Sequence, residues 1–540
     1  MKWARYLILM LLAGPVMVRA DTAMDLLKKF GDADQEIRAE AVKEVASSGD
    51  QRMIRVLTDY RMGSLYLYND QVVLGLEIIT NEDLDEFVPL GDVFSHKAML
   101  GEDGKPIIVP LEDIECLEPS RRERQDVLEA ITLLELSAPD NEQRLDAVRR
   151  TGLGDFSTIV LTRLRDLSAS DPKRSIRRAA QESEALLLLR FGESGDQAAS
   201  IATLGKLRSV RARSFLENLE MPDDPAVKKA LGRIQTKERQ IAAYNILNSG
   251  ISSGSVLVLM ALGLAVTFGM MGIINMAHGE MMMIGSYTTY CMQQLFRHSP
   301  DSPHNVFYVV ALPMAFLVSA LFGGLIEWTV VRRLYKRPLE SLLATYGVGL
   351  LLIQTTRLIF GDNRPCNSPT WLQGGVEIAE GMSLSYNRIF IFILCALCVG
   401  GVMALMRGTS LGLKMRAVIQ NRDMAASMGI NTRMTDSFTF MLGSGLAGVA
   451  GYALTTIGGI TPDMGQNYIV DSFLVVVTGG VGNLAGVVCS GMGLGLLNKF
   501  LEGTLFGAVW AKIIVLITVI AFIQYKPSGL FAAKGRLADD

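Results

Sequence analysis

Gly408 to Gly429 reads GTSLGLKMRAVIQNRDMAASMG, a polar and basic stretch between two strongly apolar ones, 386 to 406 and 435 to 458. Lys414, Arg416, Arg422 and, just beyond, Arg433 place positive charge between hydrophobic segments, as in a cytoplasmic loop of a chain that crosses a membrane repeatedly. Met415, Val418 and Ile419, then Met424, Ala425 and Met428, recur at helical spacing, so the loop has an amphipathic core. A core of this kind either lies on the membrane surface or lays its apolar face into a partner's groove.

On both sides of this loop the chain from Ile241 onward repeats apolar runs of the length a bilayer requires. The expected segments are 246 to 270, 272 to 296, 306 to 331, 339 to 360, 386 to 406, 435 to 458, 469 to 498 with a break, and 507 to 525. Arg332-Arg333-Leu334-Tyr335-Lys336-Arg337 falls on the same side as the 408 to 429 loop, and the weakly charged stretches 297 to 305 and 361 to 385 fall on the other. Eight crossings would leave the C-terminus outside, against Lys526, Lys534 and Arg536, which argue for inside. The segment 469 to 498, interrupted by Gly479-Gly480-Val481-Gly482-Asn483, is therefore expected to be a pair of short crossings or a re-entrant hairpin. Its GGVGNLAG is not a dinucleotide loop, because no βαβ unit with a ribose-binding acid surrounds it. Gly443, Ala447 and Gly451, four apart, are expected to let helices approach closely.

The first half has another character. Residues 21 to 240 carry 41 acidic and 31 basic residues and no run long enough to span a bilayer. Ahead of them, Lys2 and Arg5, the apolar Tyr6 to Leu12 and the small-residue end Val18-Arg19-Ala20 have the order of an export signal, residues 1 to 20. An uncleaved membrane anchor is the alternative; in both cases 21 to 240 is expected outside the cytoplasmic membrane. Only Cys116 of the six cysteines lies there, so a disulfide within this part is excluded. Cys395 and Cys398, inside an apolar run, suit helix packing better than redox or zinc chemistry.

A short motif recurs in this half: Asp34-Gln-Glu-Ile-Arg-Ala-Glu-Ala-Val, then Asp140-Asn-Glu-Gln-Arg-Leu-Asp-Ala-Val, with looser echoes at Asp171 and Asp224. Each Asp is placed to cap a helix whose aliphatic residues fall three or four apart, which predicts stacked helical hairpins of the HEAT type. Between Ser64 and Pro119 the β-branched and aromatic content predicts a small strand-bearing insertion. The fold expected is thus an all-α polytopic membrane domain, residues 241 to 530 with a tail 531 to 540, behind an exported HEAT-like helical domain, residues 21 to 240.

No catalytic or metal-ligating constellation stands out, and no G-x-x-x-x-G-K-[ST] is present, so the chain has no phosphate-binding loop of its own. The residues that draw attention are polar groups in apolar surroundings, costly unless paired or facing water. Asn275, His278 and Glu280 follow a break at Gly272; Thr345, Gln354 and Glu327 sit in other spans; Gly480, Gly482 and Asn483 mark the interruption. They are candidates for a translocation pathway or gate, or, for Asn275 and Glu280, for caps at a helix break.

The stretches GLAVTFGMMGIINMAHGEMMMIGSY, Arg332 to Lys336, LATYGVGLLL, GLKMRAVIQNRDMAASMGI, GSGLAGVAG and VVTGGVGNLAG resemble, in this order, permeases of branched-chain amino acid ABC importers. The resemblance implies a second permease subunit, two cytoplasmic ATPases that bind the ATP, an exported solute-binding protein and a membrane-lipid environment, with no cofactor in this chain and no nucleic acid. It also implies an ATPase-coupling segment comprising Arg416, Asn421, Arg422, Asp423, Met424, Ala425, Ala426 and Gly429. The general importer pattern Glu-Ala-Ala, three residues, Gly is here Met424-Ala425-Ala426, two residues, Gly429. The exported extension resembles the urea-transport branch, so urea is the expected solute; branched-chain amino acids are the alternative. From another class, a membrane-anchored sensor or scaffold would need a single anchoring helix and leaves the repeated spans unexplained.

Overall fold

The computed structural model describes residues 26–531 apart from 33, 70, 78, 81–85, 102–103, 220–223, 273–274, 298–305, 336, 380, 504–506 and 528. The expected export signal, with Lys534 and Arg536 of the tail, lies outside the described residues. The chain divides into two compact units, Met1–Glu238 and Arg239–Asp540.

In the first unit, helices α1 (Gln35–Ser48), α2 (Met53–Met62), α3 (Arg121–Leu136), α4 (Asn141–Thr151), α5 (Thr158–Ser170), α6 (Arg174–Phe191) and α7 (Ser194–Leu207) lead into a long helix α8 (Pro225–Met271). The recurring motif is a recurring local structure. Asp34 and Asp140 accept the first-turn N–H of Glu36 and Gln143, and Asp224 accepts that of Ala226 at 2.8 Å, satisfying donors that a helix start leaves open. Asp171 differs, standing three residues before the start of α6, where it accepts from Lys173 and pairs with Arg144 at 2.9 Å. Arginines complete the motif: Arg38 donates to Asp32 O, Arg144 to Ala138 O and Arg177 to Asp171 O, each six residues back.

This is less than the HEAT-type solenoid expected from the sequence. Between α2 and α3 the chain leaves the helical pattern for six antiparallel strands, β1 (Leu65–Tyr68), β2 (Gln71–Gly75), β3 (Ile79–Thr80), β4 (Glu86–Gly91), β5 (Ile108–Pro110) and β6 (Glu115–Cys116), ordered β3-β4-β2-β1-β6 with β5 on β4. The β1–β2 hairpin pairs Tyr68 with Gln71 across a tight turn whose Asn69 has φ 49°, a conformation Asn tolerates well. Leu65 and Leu74 of this sheet share a core with Phe30, Val42, Val45, Leu57, Tyr60, Val127 and Leu134. Each fully buried aliphatic or aromatic side chain there contributes about 1.5–3 kcal/mol.

In the second unit α8 is followed by α9 (His278–Arg297), α10 (Phe307–Thr329), α11 (Pro338–Phe360), α12 (Tyr386–Gly408), the short α13 (Ser410–Gln420) and α14 (Arg422–Ser427), then α15 (Thr432–Leu454), α16 (Met464–Gly479), α17 (Leu484–Leu501) and α18 (Ala508–Tyr525). Seven of these, α8, α10, α11, α12, α15, α17 and α18, are long and apolar enough to cross a membrane. The expected span 469 to 498 is two helices, α16 and α17, parted at Gly480, whose φ is 100°. The terminal segment then folds back on this break: Leu530 N–H donates to Thr478 O and Phe531 N–H to Gly479 O. Leu484 beside the break packs against the cluster that holds Met415 of α13. Residues 530–531 and the 409–431 loop therefore lie at one end of the bundle.

At the opposite end, Arg364 and Ile460 exchange backbone hydrogen bonds, and Ser368 and Asn387 both donate to Thr456 O. A hairpin of β7 (Gly375–Ala379) and β8 (Met382–Ser385) precedes α12. Tyr308 and Tyr452 stack at 4.4 Å and each donates its hydroxyl to the other's carbonyl.

Helix α15 is the hub, packed on α9 and α10. Its glycines set the spacing: a Cβ at Gly451 would lie 1.9 Å from Met282 O, and one at Gly443 2.6 Å from Gly263 O. Backbones in contact gain packing that larger side chains would prevent. By contrast α11 is buried only along Ser341, Thr345, Gly349 and Ile353.

Candidate functional site

The amphipathic pattern of the 409–431 loop divides between two short helices. Thr409 caps α13 through Gly412 N–H, and Met415 and Val418 of α13 turn inward, Met415 joining Leu262, Val266, Val402 and Leu446. Lys414 and Arg416 stay exposed. Asn421 then breaks the chain direction and caps α14 by accepting from Met424 N–H at 2.9 Å. In α14 only Ala425 is buried, whereas Met424 and Met428 are 62% and 78% exposed. Asp423 and Ala426 are exposed beside them. Gly429, at φ 83°, ends the helix, with Gly429 N–H on Ala426 O and Ile430 N–H on Ala425 O, a conformation glycine adopts at least cost.

The segment is fastened to the bundle by charge. Arg422 pairs with Asp436 near the start of α15, a carboxylate only 4% exposed, and its guanidinium lies 4.3 Å from the centroid of the Tyr335 ring. The next residue of α15, Ser437, donates to Glu327 at 2.8 Å and accepts from Arg332, which itself pairs with Glu327 at 2.9 Å. Glu327, a pathway candidate by sequence, is thus a buried anchor at this end of the bundle, since its carboxylate is fully engaged. Tyr335, Asp436 and Ser437 were missed; the one available signal was an acid, Asp436, just inside an apolar run beside a basic loop.

The second cluster lies between α9 and α11. After Met271 the chain turns at Gly272, φ 64°, and α9 begins at His278, whose Nε2 is 3.2 Å from Met260 O within α8. Asn275, 1% exposed, accepts from Ala277 N–H at 3.0 Å. Thr345 Oγ1 accepts from Met276 N–H at 3.1 Å and donates to the carbonyls one turn back. Glu280 lies against α11: a Cβ on Gly349 would stand 3.0 Å from its carboxyl carbon. Asn275 Nδ2, His278 Nδ1, Glu280 Oε2 and Ser341 Oγ are buried without a hydrogen-bond partner among the described residues. A buried polar atom left unpaired costs about 1–3 kcal/mol.

The structure brings Asn275, Glu280 and Thr345 together, with His278 turned to the other side, toward α8. Gln354 stands apart on the exposed face of α11, since its position is one past the buried Ile353. Gly480, Gly482 and Asn483 form the turn at the bundle end: Gly482 approaches Gly269, Gly480 approaches Gly529, and Asn483 caps α17 through Ala485 and Gly486 N–H.

Residues 246–523, just over half the chain, match the family described as "Branched-chain amino acid transport system / permease component". Among similar proteins, the high-affinity branched-chain amino acid transport system permease protein BraD of Pseudomonas aeruginosa is 28% identical over 295 residues, 53% of this chain and 94% of that protein. A probable branched-chain amino acid transport permease protein LivH of Methanocaldococcus jannaschii is 28% identical over 301 residues, 53% of this chain and 91% of that protein. The corresponding high-affinity LivH of Escherichia coli strain K12 is 26% identical over 292 residues, 52% of this chain and 93% of that protein. No solved structure matches.

Proposed function

We propose that this chain, which belongs to the family of permease components of branched-chain amino acid transport systems, forms part of an ABC importer and is driven by separate ATPase subunits docked on α14. The observation that carries the reading is the rigid presentation of two exposed methionines, Met424 and Met428, on a helix anchored through Arg422 to the buried Asp436 of the hub helix. Methionine is an adaptable apolar contact, and an anchored helix transmits a push that a loose loop would absorb. The loop faces the cytoplasm, with the first unit and the solute-binding protein on the outer side of the cytoplasmic membrane and a second permease subunit beside this one.

Branched-chain amino acids are the solutes that the relatives favour. Urea is the second reading, supported by residues 21 to 240, which lie outside the family match at 246–523, and by the neutral polar groups Asn275 and Thr345 at the α9–α11 contact. Uptake of radiolabelled leucine and urea by cells with and without this chain, with ATP depletion as control, separates the two. ATP-dependent loss of leucine uptake alone supports the first reading, and of urea uptake alone the second. Loss of neither removes the importer assignment.

A further inference from the structure

The contact between α9 and α11 has the chemistry of a solute site. Along one side run Asn275, Met276 and Glu280; along the other run Ser341, Thr345 and Gly349, one turn apart. The register is fixed at two points, Met276 N–H on Thr345 Oγ1 and the Glu280 carboxyl against the backbone of Gly349. At these points and one turn beyond them an amide donor, a hydroxyl and a carboxylate oxygen have no partner among the described residues, although Glu280 is only 4% exposed. Buried polar atoms are nearly always hydrogen-bonded, so unpaired ones grouped at one contact ask for an explanation. Beyond this small-residue stripe α11 is held at its far end, where Ile353 shares a core with Met283, Tyr287 and Met464 and the Phe360 ring lies 4.9 Å from that of Tyr287, so a parting at the stripe with that end held uncovers these groups together.

We infer that this seam binds the transported solute when α9 and α11 part, and that the solute presents N–H donors beside a carbonyl or carboxylate oxygen. Glu280 accepts from the N–H groups, ammonium or amide; Asn275 Nδ2 and the Ser341 hydroxyl donate to the oxygen. Gly349 is required because any larger residue fills the place where the solute meets the carboxylate. An α-amino acid and urea both carry this pairing of groups, and the site rests on the importer reading above.

The test uses the complete transporter, this chain with its partner subunits, in sealed vesicles. Initial uptake of labelled leucine and of labelled urea is measured against concentration for wild type, Glu280→Gln and Gly349→Ala, each normalised to assembled complex. The KM of the transported solute is expected to rise about tenfold or more in Glu280→Gln, the loss of a charge-assisted hydrogen bond, and to rise also in Gly349→Ala. Whichever solute shows the rise is the one the seam takes. Labelling of wild-type Glu280 by a hydrophobic carbodiimide, slowed by that solute, reads the same contact without a variant that has to fold. Unchanged KM in Glu280→Gln with no protection of wild type overturns the site while leaving the importer reading intact. A wild type that transports neither solute overturns both.

Discussion

Replacing Arg422 with Ala removes the cation paired with Asp436, whose carboxylate is 4% exposed while the Arg422 side chain is 40% exposed. Breaking a fully buried pair costs about 3–5 kcal/mol, and an exposed pair contributes about 0–1 kcal/mol. One partner here is buried and the other half open, so the loss falls between these limits, and the stacking on Tyr335 adds about 0.5–1 kcal/mol. A total of about 2 kcal/mol shifts the ratio of docked to undocked α14 by roughly 30-fold. Because α14 is held to α15 by this pair, ATPase motion then moves α14 without moving the bundle. Uptake per assembled complex should fall by about tenfold or more in Arg422→Ala and in Asp436→Ala, and the double variant should be little worse than either. The charge-exchanged pair, Arg422→Asp with Asp436→Arg, should recover part of the loss. Single variants that transport like wild type, or effects that simply add, would refute the anchoring argument.

Met424→Ser with Met428→Ser should release the ATPase in copurification yet leave thermal stability within about 0.5 kcal/mol, as for exposed positions generally. Gly451→Val should cost about 2 kcal/mol or more, because the added atoms meet Met282 O, and should show as loss of a monodisperse peak in detergent. In the first unit, burial alone would raise the Glu123 carboxyl, but hydrogen bonds from Ser120 and from Arg38 outweigh it and hold the group below the ordinary glutamate range. A folded-state value below the unfolded one gives stability that is present above the unfolded value and lost as pH falls through the folded one. Glu123→Gln should therefore lower the melting temperature at pH 7, and the difference from wild type should shrink toward about pH 4 and below.

Residues acting through local rules were legible in the sequence. Apolar length and loop charge marked the spans, because a bilayer imposes both on any helix that crosses it. Asp34, Asp140 and Asp224 marked helix starts, because an N-cap interacts within its own first turn, and the loop's basic residues with Met424 and Met428 marked the outward-facing segment. Gly480 marked a break, because only glycine adopts its backbone angle freely. What the tertiary structure alone decided depends on partners far apart in the chain. Met415 and Met424 share one periodic pattern, yet one faces the core and the other faces out, since Asn421 turns the helix between them. Glu327 and Glu280 are both acids within apolar spans; the first is occupied by Arg332 and Ser437, and the second, set against Gly349, has one carboxylate oxygen without a partner among the described residues. Strands were expected between Ser64 and Pro119 and are found there, at residues 65–116, but their order in one sheet was not legible, because pairing across a sheet is set by neighbours and not by any single strand. Whether a buried polar group anchors or receives is a property of what the fold brings to it, and no span read by itself contains that information.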